Sequence, residues 1–379
     1  MAFLNLSNLF LDCTNLKEVL IPPLINKKIK YMNGMFHMNY DDNKLEKIIF
    51  SPKFNFTIIE GMSDLFSGCN KLREVNYEIL KTESVEKMNG MFQKCSSLEK
   101  LDLNNFNTIN VIDMSSMFEG CSKLKEINLN SFCTKNVENM RKMFYGCSSL
   151  KKLNLNNFNT ENVTDMSSMF EGCSKLKEIK LESFNNIRVT NMSEIFQFCH
   201  SLEEINLDSF NTINVENMEG MFFGCKSLKK LDLKNFNTEK VTNMSVMFSE
   251  CESLENLDLS NFNTANVKSF GSMFAGCKNL KTINLKSFNT KSAFDMENMF
   301  EGCESLEELD LSSFDIEEKV STKDMFKGCS NLKNSNFITD NEYLKQEFNG
   351  NRPSALFRDL FNPFNSFNPI NNFNRYKFI

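Results

Sequence analysis

The stretch from Leu150 to Lys175, LKKLNLNNFNTENVTDMSSMFEGCSK, is one copy of a unit that recurs along most of this 379-residue chain. Cysteines set the period, because eleven of them lie 26 residues apart: Cys69, Cys95, Cys121, Cys147, Cys173, Cys199, Cys225, Cys251, Cys277, Cys303 and Cys329. Phenylalanine keeps the same period from Phe66 to Phe326 and extends it back to Phe36 and Phe10, with four extra residues before Phe66. The sequence therefore predicts thirteen repeats in one array.

Two periodicities coexist within each unit. The segment 153–155 alternates apolar and polar residues, which predicts a short strand. The apolar residues from Val163 to Cys173 recur mostly at steps of three or four, which predicts a short helix. Thr164 or Asp165 could cap its start, and Gly172 suits the left-handed residue after its end. Neither half can bury its apolar face alone, so neighbouring units must stack and pair their strands in parallel.

A known family shares this pattern. Leu150, Leu153 and Leu155 form the L-x-x-L-x-L opening of leucine-rich repeats, and 26 residues falls within the length range of those repeats. From Asn162 to Asn186 the chain reads NVTDMSSMFEGCSKLKEIKLESFNN, with Ile179 for the middle leucine and Asn186 where the motif has its last threonine. This phrase resembles the BspA-like class of leucine-rich repeats, and the resemblance covers roughly residues 5–337.

The resemblance and the pattern together predict an α/β leucine-rich repeat solenoid of about 13 turns. Parallel strands should lie on its concave face and short helices on its convex face. Residues 1–65 are expected to form irregular N-terminal repeats, residues 66–337 the regular array, and residues 338–379 a C-terminal cap with a Phe- and Asn-rich tail. Within that last region, 338–350 should be a loosely ordered cap and the remainder disordered.

Composition and motifs disfavour catalysis. A net charge of −6 disfavours nucleic acid as a partner, and no apolar run is long enough to span a membrane. His37 and His200 are far apart in the sequence and are expected at the surface. Gly271 and Gly276 have the spacing of a phosphate-binding loop, but Cys277 follows where lysine should be. We expect no enzyme activity, no cofactor and no metal site.

The ladder cysteines have a structural interpretation. They share their phase with Leu, Met and Phe, which indicates buried, reduced thiols that act as small hydrophobes. In-register cysteines on adjacent turns lie about 4.8 Å apart, farther than the ~3.8 Å between Cβ atoms that a disulfide favours. Cys133 is out of phase, so we expect it to be the most reactive thiol in the middle of the array. No histidine lies within sixty residues of it to act as a base.

The function predicted from the sequence is that of a non-catalytic binding scaffold. The resemblance implies a cell-surface or extracellular protein that mediates protein–protein contacts or adhesion. Because no secretory signal is visible at the N-terminus, an intracellular, cytoplasmic scaffold is the alternative. A repeated surface suits a protein or an extended, repetitive ligand.

Departure from the consensus indicates where such a ligand would dock. Polar residues fill the outward strand positions in most units, but two neighbouring units differ and place four carboxylates around one lysine. We expect this acidic field on the concave face to attract a basic partner. The candidate binding residues are Glu178, Lys180, Glu182, Glu204, Asn206 and Asp208.

Overall fold

The computed structural model describes residues 3–23, 28–54 and 59–350, which form one continuous stack of about thirteen parallel coils. Within these described ranges, thirteen short strands lie in chain order: β1 Phe3–Asn5, β2 Glu18–Ile21, β3 Lys28–Tyr31, β4 Lys47–Phe50, β5 Glu74–Val75, β6 Lys100–Asp102, β7 Glu126–Asn128, β8 Lys152–Asn154, β9 Glu178–Lys180, β10 Asn256–Asp258, β11 Thr282–Asn284, β12 Leu309–Asp310 and β13 Phe337–Ile338. All their pairings are parallel. In the regular array paired strand residues are one repeat, 26 positions, apart in the sequence, so Lys152 lies opposite Glu178. The predicted leucine-rich repeat solenoid is confirmed.

A second parallel ladder runs along the array, which the repeat pattern did not reveal. It consists of single-residue bridges that continue from Tyr31 to Ser321. In the central coils the bridging residues are Asn139, Asp165 and Asn191. Each coil is therefore joined to its neighbour in two separate places. One is along the strands, and the other is just before the segment that corresponds to Met166–Cys173.

The predicted convex helices are wrong. Between Met166 and Cys173 the backbone forms successive β-turns, with bonds from the Met169 N–H to the Met166 carbonyl (3.2 Å) and from the Cys173 N–H to the Phe170 carbonyl (3.1 Å). The third residue of each of these two turns has a positive φ, 56° at Ser168 and 72° at Gly172, as in type II turns. Gly172 is left-handed as predicted, but it lies in a turn and not at a helix end.

Stacking explains why turns replace the helix. The N–H groups of Ser168, Phe170 and Gly172 donate to the next coil, at 2.9 Å, 2.9 Å and 2.8 Å. An α-helix would use these donors within its own segment. Adjacent coils about 4.8 Å apart instead offer an acceptor to every second N–H group. Hydrogen bonds within the turns and between the coils together satisfy the backbone groups that a helix would satisfy. The turns also bring apolar side chains to the core at the same steps of three and four residues.

The C-terminal end of the described chain is covered by β13 and by the helix α1, Glu342–Phe348. The Asn341 side chain accepts from the N–H groups of Tyr343 and Leu344 and so caps the helix. Leu344 is buried, and the Phe348 ring stacks on Phe337 with centroids 4.4 Å apart. A cap thus forms over 338–350. The predicted disordered tail, residues 351–379, lies outside the described residues.

The core is a set of in-register columns. The phenylalanines in the phase of Phe144 and Phe170 stack face to face along the array, and the ring centroids of these two lie 5.8 Å apart. A second column includes Phe132 and Phe158, at 6.2 Å. Phe158 has no exposed surface, as the repeat pattern predicted. A buried threonine column runs beside this second column. The Thr134 hydroxyl donates to the Asn159 carbonyl (2.8 Å) and accepts from the Asn159 N–H (2.7 Å).

The ladder cysteines form a third column. All eleven are buried, as predicted, and each thiol donates to the carbonyl of a phenylalanine in the preceding coil; Cys121, for example, lies 3.1 Å from the Phe92 oxygen. Burial raises the pKa of Cys121, Cys173 and Cys225 to about 12. Cys13 and Cys133 are partly exposed.

Thiol reactivity tests the reduced state of this column. In the native protein we expect a thiol reagent to label Cys133 and Cys13 quickly and the ladder cysteines only after denaturation, because a thiolate is the reactive form. Mass spectrometry of alkylated peptides, without and with denaturant, measures this. Disulfides among the eleven ladder cysteines would contradict the prediction.

Candidate binding face

The strand face carries three rows of exposed side chains, one residue of each row per coil. The rows are defined on β8 and β9: row one is the residue before the strand, row two its first residue and row three its third residue. In the other coils each row contains the residues that lie 26 positions before or after these. Lysine and glutamate alternate along parts of rows one and two, where they form ion pairs between coils. Lys125 with Glu99 (2.8 Å) belongs to row one, and Lys152 with Glu178 (2.7 Å) belongs to row two. All four side chains are largely exposed, so each pair stabilises the fold little.

Row three has a structural function in most coils. Its Asn or Asp side chain accepts a hydrogen bond from the backbone N–H two residues on, which ends the strand in a tight turn. Asn154 accepts from Asn156 (3.1 Å) and Asn206 from Asp208 (2.9 Å). Lys180 occupies this row in β9 and cannot accept. The Glu182 N–H donates instead to Asn156 of the preceding coil, at 3.1 Å. Lys180 is therefore a departure that the backbone does not require.

The six candidate residues belong to two adjacent coils, and all are exposed. Four of them lie in rows two and three, whereas Glu182 and Asp208 lie in the turns that follow those rows. Their charges are partly neutralised at the edges of the patch. Glu178 pairs with Lys152, which lowers the pKa of its carboxyl, and Asp208 lies 3.7 Å from the ammonium group of Lys234. Among the described residues, Glu182 and Glu204 take part in no ion pair. The acidic field is thus narrower than the sequence suggested.

A basic group beside this patch escaped the sequence analysis. In row one, Lys151 and Lys177 follow Lys125 without an intervening carboxylate, and the Lys177 N–H donates to the Lys151 carbonyl at 2.9 Å. Lys175, in the turn just before Lys177, is also exposed. Reading row one as a column would have shown this run, since glutamate interrupts lysine elsewhere in the array. The two groups of opposite charge lie side by side.

The strand face also has a shallow depression two coils farther on. Three rungs of the sheet line it: residues 229–231, 256–258 and 282–284. Three residues in equivalent positions of their coils are apolar, Leu231, Leu257 and Ile283, and charged or polar residues make up the rest of the lining. Apolar floor and polar rim are features of protein-binding surfaces.

The turn segments on another side of each coil carry a cluster of carboxylates. Glu171 is only 3 % exposed, and burial, with the nearby Glu194, raises the pKa of its carboxyl to about 8. Burial and Glu194 also raise the pKa of Glu219 in the following coil. The Ser168 hydroxyl donates to Glu194 at 2.9 Å. We expect this cluster to make folding sensitive to pH.

Stability should fall as the pH rises because of Glu171. Below pH about 4.5, its ordinary pKa, the group is protonated in both folded and unfolded chains. Between this pH and about 8 the unfolded chain loses the proton while the folded chain keeps it, which favours unfolding. We expect Glu171→Gln, which copies Gln197 of the next coil, to gain stability relative to the wild type as the pH rises through this window. Urea unfolding at several pH values measures the difference, and a constant difference would contradict the assignment.

Chemistry at other candidate residues is limited. His37 and His200 are half-buried and belong to different coils, so the expectation of surface histidines holds only in part. In the described part of the chain, no three His, Cys, Asp or Glu side chains come together in a way that could hold a metal ion. Over the same residues, no helix has the length and apolar character needed to cross a membrane.

Comparison with known families identifies the repeat. The model of the family described as "Mycoplasma protein of unknown function, DUF285" matches residues 30–158, 147–255 and 224–341. The chain belongs to this family. The DUF285 match supports the resemblance to BspA-like repeats, since it covers the regular array and most of the irregular first coils. No curated protein matches the DUF285 chain.

Solved structures similar to this DUF285 protein include bacterial leucine-rich repeat proteins. One, from Bacteroides ovatus, is 17% identical with a TM-score of 0.37, and the match covers 86% of this chain and 92% of that one. A leucine-rich cell surface protein from Faecalibacterium prausnitzii is 16% identical with a TM-score of 0.40, covering 90% and 92%. A third, from Eubacterium ventriosum, is 16% identical with a TM-score of 0.41, covering 84% of each chain.

Proposed function

We propose that this DUF285 protein is a non-catalytic scaffold that binds another protein through its strand face. The observation that carries the proposal is Lys180. The other row-three residues of the regular strands end their strand by accepting a backbone hydrogen bond, and Lys180 gives up that bond in the coil where the exposed charges depart from the Lys–Glu alternation. The Asn and Asp residues of row three are explained by the hydrogen bond that ends the strand. Lys180 has no such structural explanation, and we attribute it to binding.

Two further features support the strand face. It is long, because coils about 4.8 Å apart give the regular array a length on the order of 50 Å. It combines exposed charges with a shallow depression that has apolar residues in its lining, as on a protein-binding surface with a polar rim. The resemblance to BspA-like repeats makes the cell surface the compartment that we propose. Labelling of intact cells with a membrane-impermeant reagent tests that location.

Charge reversal tests the binding patch. We expect Glu182→Lys with Asp208→Lys to weaken partner binding at least tenfold, equivalent to about 1.4 kcal/mol, because both carboxylates are exposed and belong to the patch. Wild-type and variant proteins immobilised on beads are incubated with an extract from the source organism and its surroundings. Quantitative mass spectrometry should find a protein retained by the wild type and lost from the variant.

The matched control is Glu239→Lys with Glu161→Lys, two exposed residues of other turns. Both double variants should unfold at nearly the wild-type temperature. Equal retention of every captured protein by the wild type and the patch variant would overturn the assignment of this patch.

A further inference from the structure

We propose that the partner presents a bipolar surface, a group of acidic residues followed by a group of basic ones, to a matching bipolar strip on the strand face. The strip has a basic half, Lys151, Lys175, Lys177 and Lys180, and an acidic half, Glu182, Glu204 and Asp208. This inference rests on the proposed function and names the chemistry of the partner.

The basic half is a local excess of positive charge on a chain whose net charge is −6. In the described residues its four lysines form no ion pair, whereas Lys125 and Lys229 of the same row one pair with Glu99 and Glu203 at 2.8 Å and 2.7 Å. All four ammonium groups belong to exposed residues. They span two adjacent coils, so row-one charges of like sign lie roughly 5 Å apart. Such a group favours an anionic occupant.

The acidic half limits what that occupant can be. In row one the sign reverses from Lys177 to Glu203. In row two it reverses one coil earlier, from Lys152 to Glu178, and Glu204 continues the negative charge. Glu203 is held by Lys229, and Lys177 also acts on it; both lower the pKa of its carboxyl. Glu182 and Glu204 have no such partner among the described residues. A carboxylate-bearing occupant of the basic half therefore meets Glu182 in the same coil as Lys177 and Glu204 one coil farther along the axis.

This reversal favours a polypeptide over a polymer of uniform charge. A nucleic acid or a sulfated polysaccharide that lies along the axis would place anions on Glu182 and Glu204, and like charges brought together across an interface disfavour binding. A polycation would meet the same conflict at Lys151 and Lys177. Only a polypeptide can carry carboxylates and ammonium groups in separate blocks a few residues apart. Pairing of both halves also fixes the direction in which it binds.

Two synthetic peptides of identical composition test the proposal. The block peptide has four glutamates, a short Gly-Ser linker and four lysines; in its isomer the same charged residues alternate. Fluorescence anisotropy at low ionic strength should show at least tenfold tighter binding of the block peptide to the full-length protein, and added salt should remove the difference. Heparin, which carries only anions, should compete weakly.

Charge inversion of the protein separates electrostatic matching from damage to the fold. Lys151→Glu with Lys177→Glu should reduce block-peptide binding at least tenfold. Adding Glu182→Lys and Glu204→Lys to that variant inverts the strip and should restore binding, because the peptide can bind in the reverse direction. The matched control, Lys291→Glu with Lys323→Glu, changes exposed lysines elsewhere and should have no effect.

Equal binding of the two peptides, tighter binding of heparin than of the block peptide, or no recovery in the inverted variant would each overturn the bipolar partner. The proposed function fails by a different observation, the equal retention of captured proteins by the wild type and the Glu182→Lys, Asp208→Lys variant.

Discussion

Replacing Phe158 by Ala should lower the free energy of unfolding by about 3–5 kcal/mol, the usual cost of removing a buried phenylalanine. Phe158 has no exposed surface, and its ring stacks on Phe132 with centroids 6.2 Å apart. The cavity would lie inside a column that continues through the neighbouring coils. In a solenoid each repeat contacts only its neighbours, so the loss should be concentrated in the coils next to Phe158.

Hydrogen exchange measured peptide by peptide locates this loss. Exchange should accelerate most between about residues 130 and 185 and little near the ends of the array. The matched control is Phe294→Ala, because Phe294 is 40% exposed and its removal should cost far less. Equal effects of the two substitutions would contradict the core assignment of Phe158.

Replacing Asn186 by Thr should stabilise the protein by about 1–3 kcal/mol, the cost of a buried polar group left without a partner. Asn186 is buried in the threonine column, where it accepts from the Thr160 hydroxyl at 2.8 Å. Its Nδ2 group is buried and has no hydrogen-bond partner among the described residues. A threonine here could bond the N–H and carbonyl of Asn211, as Thr212 bonds those of Asn237, both at 2.8 Å.

The reverse substitution is the control. Thr212→Asn should destabilise the next pair of coils, because it breaks the two bonds to Asn237 and introduces an unpaired amide. Chemical unfolding of both variants measures the two changes. If Asn186→Thr lowered stability, Asn186 would have to satisfy its amide group in another way.

The sequence was sufficient for the features that depend on periodicity. The 26-residue phase placed Phe158 and the ladder cysteines in the core, because in-register stacking brings identical positions together. The helix prediction failed for a physical reason. The steps of three and four between Met166, Met169 and Phe170 arise equally from successive turns, and no sequence rule marks Ser168 as left-handed.

The binding face was only partly predictable. The departure at Lys180 was visible in the sequence as a break in row three. That the turn does not need an acceptor at this position is shown only by the structure, where the Glu182 N–H donates to the Asn156 side chain. The basic half was missed because Lys151 and Lys177 are unremarkable within their own repeats. Their significance depends on the residues one coil away, which only the stacked register brings together.

Site-specific photo-cross-linking tests most directly whether the strand face binds a protein. A photoreactive amino acid would replace Lys230, an exposed strand-face residue on the side of the depression next to the patch, or Arg141, an exposed residue of a turn segment. We predict that the Lys230 variant cross-links to a discrete partner protein, that the Arg141 variant does not, and that Glu182→Lys with Asp208→Lys abolishes the product. Cross-links from Arg141 to the same partner and none from Lys230 would contradict binding through the strand face.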